Sequence, residues 1–184
     1  DKFNEIDAIE GSSEAAKEAK LSLPSDVNIH IGTFESIDLK KKYKNIVMTH
    51  VLEHLDNTEL VLKRVFNWLD EDGVFFLVCP NANAASRQIA VHMNLIDYNS
   101  AVTSAEREHG HRITFNLDTL EFAVKKSGLK VINRGGIFFK ALANFQWDKV
   151  ISEEIVSKEY LDGCYKLGDK YPDLCSSIYV VAKR

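Results

Sequence analysis

The chain has 184 residues and a formal net charge of −4, with 45% hydrophobic and 27% charged residues. This composition is typical of a globular domain with a substantial core. The acidic balance excludes a strong attraction to nucleic acid or to an anionic membrane surface, and the apolar runs are too short to span a bilayer. We therefore expect neither nucleic acid nor a membrane as a partner, and the start of the sequence does not resemble a signal peptide.

The three cysteines are Cys79, Cys164 and Cys175. They lack the spacing of a metal site, and their odd number argues against a set of disulfides. Cys79 lies inside an apolar run, where a thiol usually acts as a small buried hydrophobe. Cysteine usage therefore favours a reduced, cytoplasmic setting.

The first elements alternate between strand and helix. Glu5–Glu10 is predicted to be a strand, and Ser12 or Ser13 then caps a helix that ends before Pro24. Val27–Ile31 alternates apolar with polar side chains, which is typical of a strand at the edge of a sheet.

The central elements are more uniformly apolar. Asn45–Thr49 and Val74–Cys79 are predicted to be parallel strands covered on both faces. Between them, Thr58–Leu69 carries apolar residues at helical spacing, and Gly73 follows the helix.

The last third of the chain predicts a helix over Leu117–Ser127, capped by Asn116, and several late strands. These strands are Leu129–Asn133, Gly136–Phe139 and Ile178–Ala182. Alternating strands and helices indicate an open, mostly parallel α/β sheet with helices on both faces. Residues 82–116 interrupt the pattern with a polar, histidine-rich insertion, and long irregular stretches often form lids over sites.

His50 marks a candidate site. It follows a buried strand, and ligands of open α/β sheets bind beyond the carboxyl ends of the strands. Glu53 and His54 are more typical of a turn. The run from His50 to His54 also matches the H-x-x-E-H pattern of inverted zincins, which keeps a zinc peptidase as an alternative. That chemistry needs a helix that places both histidines on one face, whereas His50 is predicted to end a strand.

The order and spacing of several motifs resemble the small-molecule branch of the class I S-adenosylmethionine-dependent methyltransferases. The motifs are Ile9-Glu10-Gly11-Ser12, His50–Asp56, Leu77–Asn81 and His111–Phe115. The resemblance implies a Rossmann-like sheet with an antiparallel last strand. It also implies one domain over residues 1–184, with a lid at about residues 82–116.

The family's first strand and its glycine-rich loop have no counterpart here. We therefore interpret the sequence as an N-terminally truncated methyltransferase domain. Glycine loops let the backbone approach a ligand closely, so the chain as written is expected to bind little cofactor.

The resemblance implies transfer of a methyl group from S-adenosylmethionine to an O or N atom of a small metabolite, such as a sugar or a nucleotide-linked sugar. Glu10 matches the acidic residue that binds the ribose hydroxyls. Gly11, Thr33 and Phe34 are the other expected cofactor contacts, with Phe34 packing on adenine. His50 would face both the cofactor's sulfonium end and the acceptor.

The insertion supplies further candidates in His109-Gly110-His111-Arg112. His111, His109 or His50 would remove a proton from the acceptor, and Arg112 would bind a phosphate or carboxylate. No bound metal is expected, although His109 with His111 is a lesser alternative as a metal pair. A degenerate domain that only binds a partner is the other alternative. The sequence leaves the acceptor and the oligomeric state open.

Overall fold

The computed structural model describes residues 5–184 and divides at Lys41/Lys42 into two compact units. The first unit contains strand β1 (Ile6–Glu10), helix α1 (Ser13–Ser22) and strand β2 (Val27–Ile31). The two strands are parallel, with Glu10 opposite Ile31. The Ser12 hydroxyl accepts a hydrogen bond from the Ala15 N–H and caps α1. The predicted strand–helix–strand unit is therefore present.

The second unit is built on a four-stranded sheet with the strand order β3-β4-β6-β5. Its elements are β3 (Tyr43–Thr49), a 3₁₀ turn (Leu52–His54), α2 (Thr58–Trp68), β4 (Leu69–Pro80), α3 (Ala85–His92), α4 (Ser104–Glu108), α5 (Leu117–Lys126), β5 (Lys130–Phe139), α6 (Asn144–Ser152), α7 (Lys158–Leu167), a second 3₁₀ turn (Pro172–Leu174) and β6 (Cys175–Lys183). Strands β3 and β4 are parallel, whereas β6 is antiparallel to both β4 and β5. The α/β class and the antiparallel last strand are confirmed. Over residues 5–184, each helix falls short of the length and apolarity needed to cross a bilayer.

The core of the second unit lies around β4. Phe75, Leu77 and Cys79 on this strand are fully buried. Helices α2 and α5 contribute apolar faces that include Leu62 and Leu120, which are also fully buried. Each of these large aliphatic or aromatic side chains contributes roughly 1.5–3 kcal/mol on burial, so β4 and its neighbours form the stable centre of this unit.

Two sequence expectations differ from the structure. Arg134 and Gly135 lie inside one continuous strand, β5, rather than between two strands. A Cβ atom at residue 136 of this strand would clash with the carbonyl oxygen of Pro172, so glycine permits a close backbone approach here. The 82–116 insertion is also more regular than predicted, because it contains helices α3 and α4.

Asn81 ties together the ends of two strands. Its buried side-chain amide donates hydrogen bonds to the carbonyl oxygens of Asp173 at 2.7 Å and Cys175 at 2.8 Å. Its side-chain oxygen accepts a hydrogen bond from the Asn83 N–H at 2.9 Å. The asparagine after the strand-proline motif therefore fixes the end of β4 against the start of β6.

The Asn81→Ala variant is expected to lower the free energy of unfolding by about 1–3 kcal/mol, because it leaves the buried Cys175 carbonyl and the partly buried Asp173 carbonyl without this donor. Urea denaturation followed by circular dichroism measures this loss. The matched control is Asn133→Ala on an exposed position of β5, which is expected to change stability by less than about 0.5 kcal/mol. Equal losses in both variants would contradict the role of Asn81.

Candidate functional site

Glu10 lies at the carboxyl end of β1 in the first unit, where it is half-buried. Its Oε1 atom accepts a hydrogen bond from the Ser12 N–H at 2.8 Å. This contact holds the turn into α1 and uses one of the two carboxylate oxygens. The Gly32 N–H donates to the Glu10 carbonyl oxygen at 3.0 Å, which joins this turn to the segment after β2.

Thr33 and Phe34 occupy that segment after β2. The Thr33 carbonyl oxygen accepts hydrogen bonds from the N–H groups of Ser36 and Ile37, each at 3.0 Å, and its hydroxyl donates to the Ser36 hydroxyl at 2.9 Å. Phe34 is half-buried and Thr33 is exposed. Since β1 and β2 are parallel neighbours, the predicted cofactor residues of this unit share one edge of the sheet.

His50 holds an unusual backbone conformation at the carboxyl end of β3. Its N–H donates to the Val78 carbonyl oxygen at 2.9 Å, and its φ of +53° lies in the left-handed region. Such a conformation costs a non-glycine residue about 1–3 kcal/mol and is concentrated at functional sites. The half-exposed ring places Nδ1 3.4 Å from Glu53 Oε1 and Nε2 3.5 Å from the Ser177 hydroxyl.

Glu53 is the most unusual charged residue of the second unit. Its side chain is 1% exposed, and within residues 5–184 no N–H or O–H group donates a hydrogen bond to either carboxylate oxygen. The neighbouring groups are the rings of His50 and His54 and the Cys79 thiol. Burial, and after it the Glu53 carboxylate, raises the pKa of that thiol. A buried carboxylate without donors is costly, so this site is suited to a ligand that satisfies the charge.

His111 packs against the ring of His54, close to this carboxylate. The ring centroids are 4.6 Å apart with an interplanar angle of 82°. Burial lowers the pKa of His111, and the neighbouring His54 lowers it further. Gly110 has a φ of +85°, and a Cβ atom there would lie 3.3 Å from His54 Nδ1. Glycine thus allows the insertion to approach the His54 ring.

Arg112 ties the insertion to the turn that follows β3. Its backbone N–H donates to the Glu53 carbonyl oxygen at 2.8 Å, and its side-chain Nε donates to the His54 carbonyl oxygen at 3.1 Å. The same Nε lies 3.0 Å from Asp56 Oδ1. The His109 ring instead bonds to its own segment. Its Nδ1 donates a hydrogen bond to the carbonyl oxygen of Ala105 in α4 at 2.7 Å.

Four ionisable side chains therefore meet at one place: His50, Glu53, His54 and His111. His50 and His111 were predicted site residues, whereas Glu53 and His54 were expected to be part of a turn. The spacing His50-x-x-Glu53-His54 was the sequence signal that pointed to Glu53 and His54 as site residues. The burial of Glu53 could not be read from it, because that burial depends on β4 and on the distant insertion.

The segment does not have zincin geometry. His50 follows a strand, and only the short 3₁₀ turn Leu52–His54 follows it. An inverted zincin needs both histidines on one face of an α-helix. The structural basis of the zinc peptidase alternative is therefore absent.

The family model described as "Methyltransferase domain" matches residues 2–134. The chain belongs to this family. The match covers both clusters of candidate residues, around Glu10 and around Glu53, and it confirms the resemblance inferred from the sequence.

The relatives and solved structures agree with this assignment. "N-methyltransferase 4" from Papaver somniferum is 31% identical over 87 residues, which are 46% of this chain and 23% of that protein. An S-adenosylmethionine-dependent methyltransferase structure from Mesorhizobium loti has a TM-score of 0.68 at 11% identity, covering 98% of this chain and 80% of the other. A coclaurine N-methyltransferase bound to N-methylheliamine and SAH has a TM-score of 0.59 at 15% identity, covering 97% and 58%. The match spans about a quarter of the curated relatives' length.

The left-handed backbone at His50 leads to a stability prediction. Asparagine tolerates this conformation, whereas a β-branched residue does not. His50→Val is therefore expected to lower the free energy of unfolding by about 1–2 kcal/mol more than His50→Asn does. Urea denaturation of both variants measures the difference, and equal stabilities would show that the positive φ places no constraint on residue 50.

Proposed function

We propose that this chain is part of an enzyme that transfers the methyl group of S-adenosylmethionine to a nitrogen atom of a small-molecule acceptor. The observation that carries the proposal is the methyltransferase family match over residues 2–134. The curated relative from Papaver somniferum is named an N-methyltransferase, and one structural neighbour holds N-methylheliamine with SAH. These relatives favour nitrogen over the hydroxyl oxygen of the sugar acceptors that the sequence left open.

The first unit offers groups that fit the cofactor. The Glu10 carboxylate has one oxygen in the turn bond to Ser12 and a second oxygen for a ribose hydroxyl. A carboxylate forms strong charge-assisted hydrogen bonds to such hydroxyls. Phe34 supplies an aromatic face for adenine, and Gly11 and Thr33 are exposed beside it. S-adenosylmethionine, when bound, supplies a methyl group already activated by the sulfonium.

The second unit supplies the acceptor side. A protonated amine has no free lone pair, so a positioned base has to take its proton before the nitrogen can bond to the methyl carbon and the carbon–sulfur bond can break. We assign this role to His50, since its ring is half-exposed at the carboxyl end of β3 and is held between Glu53 and Ser177. The Glu53 carboxylate would stabilise the imidazolium that forms. His111 lies beside Glu53 and His54, and the Arg112 N–H holds the insertion against the turn that carries Glu53.

The acceptor-side assignment predicts the effect of His50→Asn. This variant keeps a residue that tolerates the backbone conformation but removes the imidazole. On the full-length protein, turnover is expected to fall by about 10²–10⁴-fold with unchanged cofactor affinity. The measurement is transfer of radiolabelled methyl from S-adenosylmethionine to a panel of small amines and hydroxyl compounds.

The matched control is His92→Asn, at an exposed position of α3, which is expected to retain full turnover. Full turnover by His50→Asn would remove His50 from the chemistry. Transfer to hydroxyl compounds alone would overturn the nitrogen assignment. Cofactor binding without transfer to any acceptor would favour the partner-binding module.

The cofactor-side assignment predicts the effect of Glu10 variants. Glu10→Ala is expected to weaken S-adenosylmethionine binding by about 1.5–3 kcal/mol, the contribution of a charged hydrogen bond. Glu10→Gln keeps a side-chain oxygen that can accept from the Ser12 N–H, but it loses the negative charge. Weaker cofactor binding in this variant would therefore reflect the lost charge and not a disrupted turn. Calorimetry on the full-length protein measures both, with Glu14→Gln on exposed α1 as the control. Unchanged affinity in folded Glu10 variants would exclude this carboxylate from the cofactor site.

A further inference from the structure

Glu53, His54 and His111 form a cluster with the composition of a metal site. One ligand atom from each of these residues lies within 4.8 Å of the other two. A tetrahedral zinc ion holds its ligand atoms roughly 3.5 Å apart, because each lies about 2.0–2.2 Å from the ion. Glu53 is buried and the two histidines are half-buried, so small side-chain rotations are enough to close the cluster around one ion.

The Glu53 carboxylate is an independent sign of a cationic ligand. It is 1% exposed, and no N–H or O–H within the described part of the chain donates to its oxygens. Two imidazole rings lie near it, with His50 Nδ1 at 3.4 Å and His54 Nε2 at 4.0 Å from Oε1. A buried carboxylate that receives no hydrogen bond from an N–H or O–H group is unfavourable, and a bound cation reduces this penalty.

The histidines are suited to binding a metal rather than to repelling it. A neutral imidazole offers a lone pair to a metal ion, and histidine is the commonest metal ligand among the side chains. Two imidazoles and one carboxylate select borderline divalent ions of the first transition row. Magnesium and calcium prefer all-oxygen ligand sets and are disfavoured here.

The scaffold holds the three ligands together although His111 is distant in sequence from Glu53 and His54. The Arg112 N–H and Ile113 N–H both donate to the Glu53 carbonyl oxygen, at 2.8 Å and 3.4 Å. The Arg112 side chain also bonds the His54 carbonyl oxygen. Backbone hydrogen bonds thus fix the segment that carries His111 against the turn that carries the other two ligands.

We propose that Glu53, His54 and His111 bind one divalent transition-metal ion, of which zinc is the best match to the ligand set. His50 lies outside this ligand set. The site is distinct from the zincin pattern, because it uses a histidine from the insertion instead of His50. The inference does not depend on the proposed methyl transfer, since ion binding is measured without cofactor or acceptor.

The test uses the chain without a histidine tag, stripped of metal by a chelator and titrated with Co²⁺. The visible absorption of protein-bound Co²⁺ reports its coordination, and added Zn²⁺ should displace it. We expect one ion per chain. Loss of an outer-shell partner already weakens metal sites by about 10–100-fold, so His111→Ala and Glu53→Gln are each expected to weaken binding by more than about 100-fold.

The control is His92→Ala on α3, which removes a histidine outside the cluster and should bind Co²⁺ as the unmodified chain does. Glu53→Gln has almost the same shape as the native residue, so it tests the ligand even if His111→Ala fails to fold, as judged by circular dichroism. Absence of Co²⁺ binding to the unmodified chain would overturn the proposal. Equal affinity in a folded Glu53→Gln variant, or an equal loss in His92→Ala, would overturn it as well.

Discussion

The parallel ladder between β3 and β4 determines where the polar groups of the second unit meet. Thr49 lies opposite Val78, and the His50 N–H extends the ladder by one further hydrogen bond. Because the strands run in the same direction, both chains leave the sheet at the same edge. The antiparallel strand β6 brings Ser177 to that edge, opposite Pro80. One set of backbone hydrogen bonds therefore positions side chains from three strands.

Local sequence patterns were sufficient to predict both strands of this ladder. Continuous apolarity identified Asn45–Thr49 and Val74–Cys79, and the structure places both in the parallel pair. The break predicted at Arg134 and Gly135 is absent, because β5 continues through both residues. In the folded chain Gly136 instead accommodates the Pro172 carbonyl. That contact joins residues distant in sequence, and no local pattern contains it.

The candidate site was predictable only in part, for a similar reason. A polar residue after a buried strand is a recognisable signal, so His50 was selected. Glu53 was not, because a glutamate in a turn is usually exposed and its burial requires the insertion to fold over it. Replacing a buried charge by an apolar side chain often stabilises a protein. A carboxylate kept in such a place is typical of sites where function is maintained at the expense of stability.

The buried cysteines can report local and global unfolding of the chain through their reaction with thiol reagents. Cys79, Cys164 and Cys175 are all buried, and burial raises the pKa of Cys175 to about 11. Alkylating reagents react with the thiolate, so they reach these sulfur atoms only when the surrounding structure opens. Cys79 sits in the central strand and Cys175 at the start of β6. Rates of thiol labelling would therefore distinguish local fraying of the last strand from global unfolding without any engineered label.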